Sequence, residues 1–293
     1  MTNSWLSSHC ILLGAHGFVG ERFAQKMRQS GVNVVAPSSR EINLVDPASA
    51  DTLASLFSVD TPLVCCSRSQ KPLRDPDTFR EELAMATTIA RALSTRRLRS
   101  VIYLSSFSVY GEAPQDTTVS ENTLAVPTSA YAKGKLAGEE LLAQACRKEG
   151  VPLSILRICK IYGPGDPSGN YGPASFFASL QRNEPFKVYG DGAELRDHVY
   201  ISDVVQVVRE AATGKCEGIF NVASGEAHSF MDIIGMISKV IGRQAHIEHL
   251  ERSGPRINIR TDIRKLREAL PSLRMTTMEE GIRETFQFLS LER

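Results

Sequence analysis

Short apolar runs alternate along the chain with longer segments whose apolar residues recur every three or four positions. Cys10-Ile-Leu-Leu is the first run, a buried strand that ends on Gly14. Phe18, Val19, Phe23 and Met27 follow at helical spacing, up to Gly31. Val32 to Ala36 reads as a second strand, Pro47 to Phe57 as a helix, and Thr61 to Ser67 as a third strand with Cys65 and Cys66 inside it. Asp75-Pro opens a long helix over 77–93, and Val101 to Ser106 is a fourth strand. The spacing predicts a further helix over 128–147, capped by Ser129 and buried through Leu136, Leu141 and Leu142. Alternation of this kind from residue 9 to about 158 predicts an α/β fold, a doubly wound parallel sheet covered on both faces. Ligands of such sheets lie beyond the strand C-termini, where Ser105 and Ser106 stand.

A dense run of turn formers, Gly163 to Pro173, marks the exit from that sheet. Beyond it we expect a smaller region with a helix near Ala174 to Gln181, a loop carrying Arg196, and the stretch from about 226 onward. Ile201 to Ala212 and Ile219 to Val222 return to the main sheet. The expected division is residues 1–162 with about 201–224 in the sheet domain, and 163–200 with 226–293 in a discontinuous α/β capping domain. Thr277-Met-Glu-Glu280 is a capping box that starts the last helix.

Composition narrows the function classes. With 42% hydrophobic residues among 293, the chain is an ordinary globular protein. Its 34 basic and 33 acidic residues leave a net charge of +1, so no broad positive field attracts nucleic acid or an anionic membrane. No apolar run approaches the ~20 residues of a membrane span. The N-terminus has no basic leader pattern and does not read as a signal peptide. The six cysteines lack metal-ligand or disulfide-framework spacing, which together with the rest points to the cytoplasm. His246 and His249 alternate with Ile247 and Leu250 as in an edge strand, so no metal site is expected there.

Three stretches carry chemistry. Gly14-x-x-Gly17-x-x-Gly20 lies between a strand and a helix that leads to a second strand, the context of a dinucleotide-binding turn in a Rossmann-type fold. The early glycines admit a tight turn and a close pyrophosphate, whose charge the free N–H groups of the helix N-terminus complement. The end of the second strand is Ala36-Pro-Ser-Ser-Arg40, with no carboxylate before Glu41. Ser38, Ser39 and Arg40 suit a 2′-phosphate, which points to NADP in preference to NAD. Asp46 either bonds the adenine amino group or caps the helix after it. Tyr131 and Lys135 stand four apart on a helix and project together. The ammonium favours the phenolate, lowers the tyrosine pKa from near ~10, and makes that hydroxyl a usable proton donor or acceptor.

These three stretches, with Leu104-Ser-Ser-Phe-Ser-Val-Tyr-Gly111, resemble the extended short-chain dehydrogenase/reductases, and more closely their nucleotide-sugar epimerase/dehydratase branch. The likeness continues through Leu156 to Gly165, Val188 to Gly192, Arg196 to Asp203, Phe220 to Gly225, Arg252-x-Gly254, Asp262-x-x-Lys265 and Met278 to Gly281. The resemblance implies Ser106, four residues before Tyr110, as the third catalytic residue beside Tyr131 and Lys135. It implies cofactor contacts from Gly14, His16, Gly17, Phe18, Val19, Gly20, Ser38, Ser39, Arg40, Asp46, Cys66, Ser67, Tyr131 and Lys135. Ser106, Lys160, Arg196 and Arg252 are the implied substrate residues, the two arginines on a nucleotide diphosphate. It also implies a homodimer through the Tyr131 helix and the 77–93 helix.

The departures bear on the reaction. Phe107-Ser108 follows Ser106 where the 4,6-dehydratases carry an Asp-Glu pair, so dehydration is not expected, and the glutamate of the decarboxylating relatives is missing too. Leu83 and Lys160 stand where many relatives have asparagine. Our reading is a nucleotide-sugar oxidoreductase acting at a hexose ring carbon, C4, with reduction of a 4-keto sugar by NADPH and Tyr131 as general acid. The alternative is a C4 epimerase with tightly bound NAD. A non-catalytic cofactor-sensing protein is the remote third.

Overall fold

The computed structural model describes residues 9–111, 118–167, 172–252, 254 and 256–291. The expectations for residues 1–8, and for 168–171 of the turn run, lie outside these.

In β1 (His9–Leu13) successive side chains face opposite ways, Cys10 and Leu12 to one core and Ile11 and Leu13 to another. A strand apolar on both faces has to be covered twice. α1 (Phe18–Gln29) covers the first face through Phe23, Ala24 and Met27. The chain then reverses at Gly31 into β2 (Asn33–Val35). The expected 47–57 helix is split. Asp46 caps a short 3₁₀ turn over Pro47–Ser49, and only α2 (Ala50–Ser55) is α-helical. β3 (Pro62–Cys65), α3 (Pro76–Thr95) and β4 (Ser100–Ser106) follow, then a short β5 (Thr118–Val119), α4 (Ala130–Glu149) and β6 (Leu153–Ile158). α2, α3 and α4 cover the second face, where Leu53, Ile89, Leu93 and Leu142 meet Ile11, Leu63 and Val101. α4 starts where Ser129 accepts from Ala132 N at 3.2 Å, and it ends at left-handed Gly150.

The second half comprises β7 (Lys160–Tyr162), α5 (Gly172–Arg182), β8 (Phe186–Tyr189), β9 (Leu195–Tyr200), α6 (Ile201–Ala212) and β10 (Gly218–Val222). β11 (Ala227–Ser229), α7 (Phe230–Ile241), β12 (Ile247–Leu250), β13 (Arg260–Thr261), α8 (Arg264–Ala269) and α9 (Met278–Leu291) complete it. The main sheet is parallel throughout in the order β10-β6-β4-β3-β1-β2, and α6 lies beside α1 on its first face. Three small sheets, β11-β9-β7, β12-β8 and β13-β5, organise the remainder. β13 pairs Arg260 with Thr118, which holds the C-terminal third against the β4–α4 connection.

β1 pairs β2 on one side and β3 on the other, so the chain changes direction across the sheet at this point. The switch leaves a crevice beyond the ends of β1 and β3. Gly14, Cys66 and Ser67 sit at that edge.

Candidate active site

The glycine turn is built for close approach. Gly14 has φ +84°, and a Cβ there would lie 2.7 Å from the Cys66 and Ser67 backbone. Gly17 N bonds Gly14 O at 3.1 Å, and Gly17 caps α1 with no side-chain cap bond. The N–H groups of the first turn of α1 are therefore left for an anion. Ser67 Oγ, at the end of β3, is buried with no hydrogen-bond partner. Bare glycine backbone, an uncapped helix start and a partnerless hydroxyl on the opposite lip fit a dinucleotide. His16 and Gly17 are exposed here, while Phe18 and Val19 are half-buried behind them.

At the end of β2 the geometry adds a residue that pattern reading passed over. The Glu41 carboxylate folds back onto Ser38, accepting its N–H at 2.7 Å and its hydroxyl at 2.8 Å. Both Ser38 bonds hold the Glu41 carboxyl below the usual carboxylate range. Ser39 and Arg40 are exposed beside it. Asp46 Oδ1 accepts Ala48 N at 3.0 Å, the capping geometry.

Tyr131 and Lys135 do project together. The ammonium lies 5.8 Å from the centroid of the Tyr131 ring and 4.9 Å from that of Tyr103. It donates to Ser67 O at 3.2 Å and pairs with Glu82 Oε2 at 3.1 Å. Lys135 and Glu82 are both about 2% exposed. Burial alone would push the ammonium down, but Tyr103, Tyr131 and Glu82 outweigh it and hold Lys135 charged above the usual lysine range. Glu82 Oε1 accepts Ser69 N at 2.7 Å. Ser106, on the last residue of β4, shares a 2.8 Å bond with the Ser108 hydroxyl and accepts Ser108 N at 3.2 Å. Its neighbour Ser105 points the other way and donates to Glu139 of α4.

The two arginines of the second half meet on one acid. Arg196 pairs with Glu194 Oε1, and Arg252 donates to Glu194 Oε2 at 2.7 Å. Arg196 also bonds Leu195 O and Ile257 O, and Arg252 bonds Tyr189 O at 3.2 Å. Lys160 opens β7 with its side chain exposed, in register with His198 of β9. Beside Arg196, Asp197 is buried and accepts Ser224 N and Oγ at 3.0 and 2.6 Å and Gly225 N at 3.0 Å. Burial pushes its carboxyl up to about 6 against those bonds.

Sequence reasoning missed Glu41, Glu82 and Glu194. Only Glu82 carried a local signal: an acid within the buried face of α3, in line with Thr78, Met85, Ala86 and Ile89. Among the described residues, no group of His, Cys, Asp and Glu is placed to hold a metal, and no helix is long and apolar enough to cross a membrane.

The profile of the NAD dependent epimerase/dehydratase family matches residues 10–223, so the chain belongs to that family. It is an NAD(P)-dependent enzyme of the extended short-chain dehydrogenase/reductase type with a Rossmann fold. The chain is 30% identical, over 206 residues, to an uncharacterized UDP-glucose epimerase of Bacillus subtilis, spanning 69% of this chain and 64% of that one. It is 29% identical over 305 residues to the UDP-glucose 4-epimerase of Mycolicibacterium smegmatis, covering 95% and 97% of the two. In fold it is similar to the UDP-glucose 4-epimerase of Thermotoga maritima, solved with UDP-glucose. There the TM-score is 0.84 at 21% identity, over 97% of this chain and 99% of that one.

Proposed function

We propose that this enzyme is a nucleotide-sugar C4 epimerase that works with a retained NAD. The observation that carries the choice of NAD is the Glu41–Ser38 contact. A carboxylate seated on the Ser38 amide and hydroxyl repels a 2′-phosphate and suits the free hydroxyls of an adenosine ribose. This reverses the NADP preference read from Ser38, Ser39 and Arg40 alone, and with it the order of the two reactions. The resemblance to 4-epimerases over nearly the whole chain supports the same order. Exposed Arg40 beside Ser38 is the feature that favours the second reading, reduction of a 4-keto sugar by NADPH.

In this reading Gly14, Gly17 and the start of α1 receive the pyrophosphate, with Cys66 and Ser67 lining the opposite lip. A nicotinamide held there supplies reversible hydride exchange with the sugar carbon. Tyr131 Oη takes the proton from the C4 hydroxyl and returns it, and Ser106 Oγ hydrogen-bonds the same oxygen. Lys135 binds the nicotinamide ribose and holds its ammonium beside the Tyr131 ring. Arg196 and Arg252 hold the diphosphate of the substrate, with Lys160 near the sugar. Residues 163–200 and 226–293 act as the cap over the sheet domain.

The test is cofactor content and stoichiometry. Denatured protein is expected to release close to one NAD per chain, and conversion of a UDP-hexose should proceed without net change in cofactor absorbance. Tyr131→Phe should abolish most turnover while NAD is kept. Stripped protein that binds NADPH in preference to NADH and consumes it with a 4-keto sugar would give the reaction to the reductase.

A further inference from the structure

We propose that Glu82 is a positioning residue that fixes the Lys135 ammonium beside Tyr131 and sets how readily that pair yields its proton. The inference rests on the reading of Tyr131 as the residue that exchanges the proton. Its basis is geometric. An unpaired buried ammonium is driven towards its neutral form, and Glu82 is the one buried acid in contact with this one among the described residues. The carboxylate cannot turn aside, because its other oxygen accepts Ser69 N at 2.7 Å. Ser69 Oγ in turn bonds Glu81. Lys135 is therefore clamped between α3 and the loop after β3, with bonds to Glu82 and Ser67 O and one of its three N–H donors left for a ligand.

Gly134 makes the clamp possible. A Cβ there would lie 2.6 Å from Glu82 Cβ, so α3 and α4 touch at this turn because a glycine faces the acid. The remaining titratable groups around the ammonium are Tyr131 on α4, Tyr103 on β4, the Cys65 thiol at the end of β3 and the Cys66 thiol just after it. Glu139 acts on Tyr103 and is itself held by Arg157, and Glu81 is held by Ser69 and Lys71. Glu82 is thus the negative charge closest to a tyrosine–lysine pair. Whichever member of that pair gives up the first proton, a fixed negative charge beside it makes the loss harder. Glu82 therefore moves the pair's first ionisation to higher pH, while keeping the ammonium charged and in place.

The test is a titration of that ionisation in the holoenzyme, followed by tyrosinate difference absorbance with Tyr131→Phe as the blank. Glu82→Gln is expected to lower the apparent value by about one unit or more. The acid limb of the pH–rate profile on a UDP-hexose should move by the same amount. The spectroscopic arm needs no turnover, so it reads Glu82 even if the enzyme proves not to be an epimerase. A titration unchanged in Glu82→Gln would overturn the proposal, whatever happens to stability. Should that variant not fold, Glu82→Asp withdraws the carboxylate by one methylene and keeps a polar anchor. An intermediate shift is then expected, and no shift would overturn the proposal equally.

Discussion

Arg157 grips Glu139 in a buried fork, Nε at 3.1 and 3.2 Å from the two carboxylate oxygens and Nη2 at 2.6 Å. The same carboxylate takes the Ser105 hydroxyl, and the guanidinium lies 4.9 Å from the centroid of the Tyr110 ring. Tyr110 Oη reaches Asn221 of β10 at 2.7 Å. One polar network thus ties α4 to β4, β6 and β10, and fixes the height of the Tyr131 helix against the strand end that carries Ser106. Removing one member of a buried pair strands the other charge. Arg157→Met is therefore expected to lose about 3–5 kcal/mol of stability, read as a lower denaturant midpoint. Pairing it with Glu139→Leu should recover much of that loss, because no stranded charge remains. Equal losses in the single and double variants would contradict this account.

Gly134→Ala tests the contact between α3 and α4. Alanine is the better helix former, so by propensity alone the change would stabilise. Here the new methyl meets Glu82 Cβ at 2.6 Å and the Phe79 Cα at 3.4 Å, within a tightly packed seam. Overpacking outweighs propensity, and a loss of about 1–3 kcal/mol is expected in chemical unfolding, together with weaker binding of NADH. A neutral or stabilising result would mean that the helices part freely, and that the clamp on Lys135 is loose.

What the sequence made legible follows the range of the interactions. The glycine turn, the Ser129 cap and the Thr277 capping box are local, and each is set by residues within three or four positions of one another. The parallel sheet was legible because each strand is apolar on both faces. The buried ion pairs around the candidate site are not local. Glu82 meets Lys135, and Glu139 meets Arg157, only after α3, α4 and β6 have packed, so the spacing that puts Glu82 on the buried face of α3 does not announce its partner. Glu41 stood in plain view three residues after Ser38. What pattern reading could not supply was the direction of its side chain, which folds back along the loop. Arg196 and Arg252 were legible as a pair of cations, but not the acid they share.

Glu41 should control cofactor choice. Replacing the carboxylate with an amide keeps an acceptor for Ser38 and removes the charge facing a 2′-phosphate. Glu41→Gln is expected to raise the NADPH-to-NADH affinity ratio on the order of tenfold, measured by fluorescence titration of stripped protein. Arg40→Ala in the same background should reverse much of the gain. If Glu41→Gln leaves the ratio unchanged, the case for NAD from this contact is lost.

If Arg196 and Arg252 hold the substrate diphosphate as proposed, Glu194 competes with it. Its two oxygens are divided between Arg196 and Arg252, so a diphosphate arriving at these arginines has to displace an internal anion. Glu194→Gln weakens that competitor and keeps its shape. UDP is expected to bind about tenfold more tightly to this variant in calorimetry, with the larger gain at low salt. Arg252→Ala should weaken UDP binding in both backgrounds. Tighter UDP binding in Arg252→Ala than in the parent would instead remove this arginine from the diphosphate site.

Asp197 sets a pH dependence of stability with a definite sign. Its carboxyl is raised from 3.8 to about 6 by burial, despite bonds from Ser224 and Gly225. The folded chain then binds more protons here than the unfolded chain does between those two values. The stability contributed by this group is full below about 4, falls as the pH rises through about 6, and is flat above. Acids held low, such as Asp232 through its Ser229 bonds, give the opposite slope at lower pH, so the whole-protein profile mixes both. The difference between parent and variant separates them. Asp197→Asn keeps an acceptor for the Ser224 and Gly225 amides but cannot ionise. Its stability relative to the parent should therefore improve steadily as pH rises from about 4 to 6, then stay constant, in unfolding curves taken across that window. A parallel pair of profiles would mean that Asp197 titrates normally, and that water reaches the joint between β9 and the end of β10.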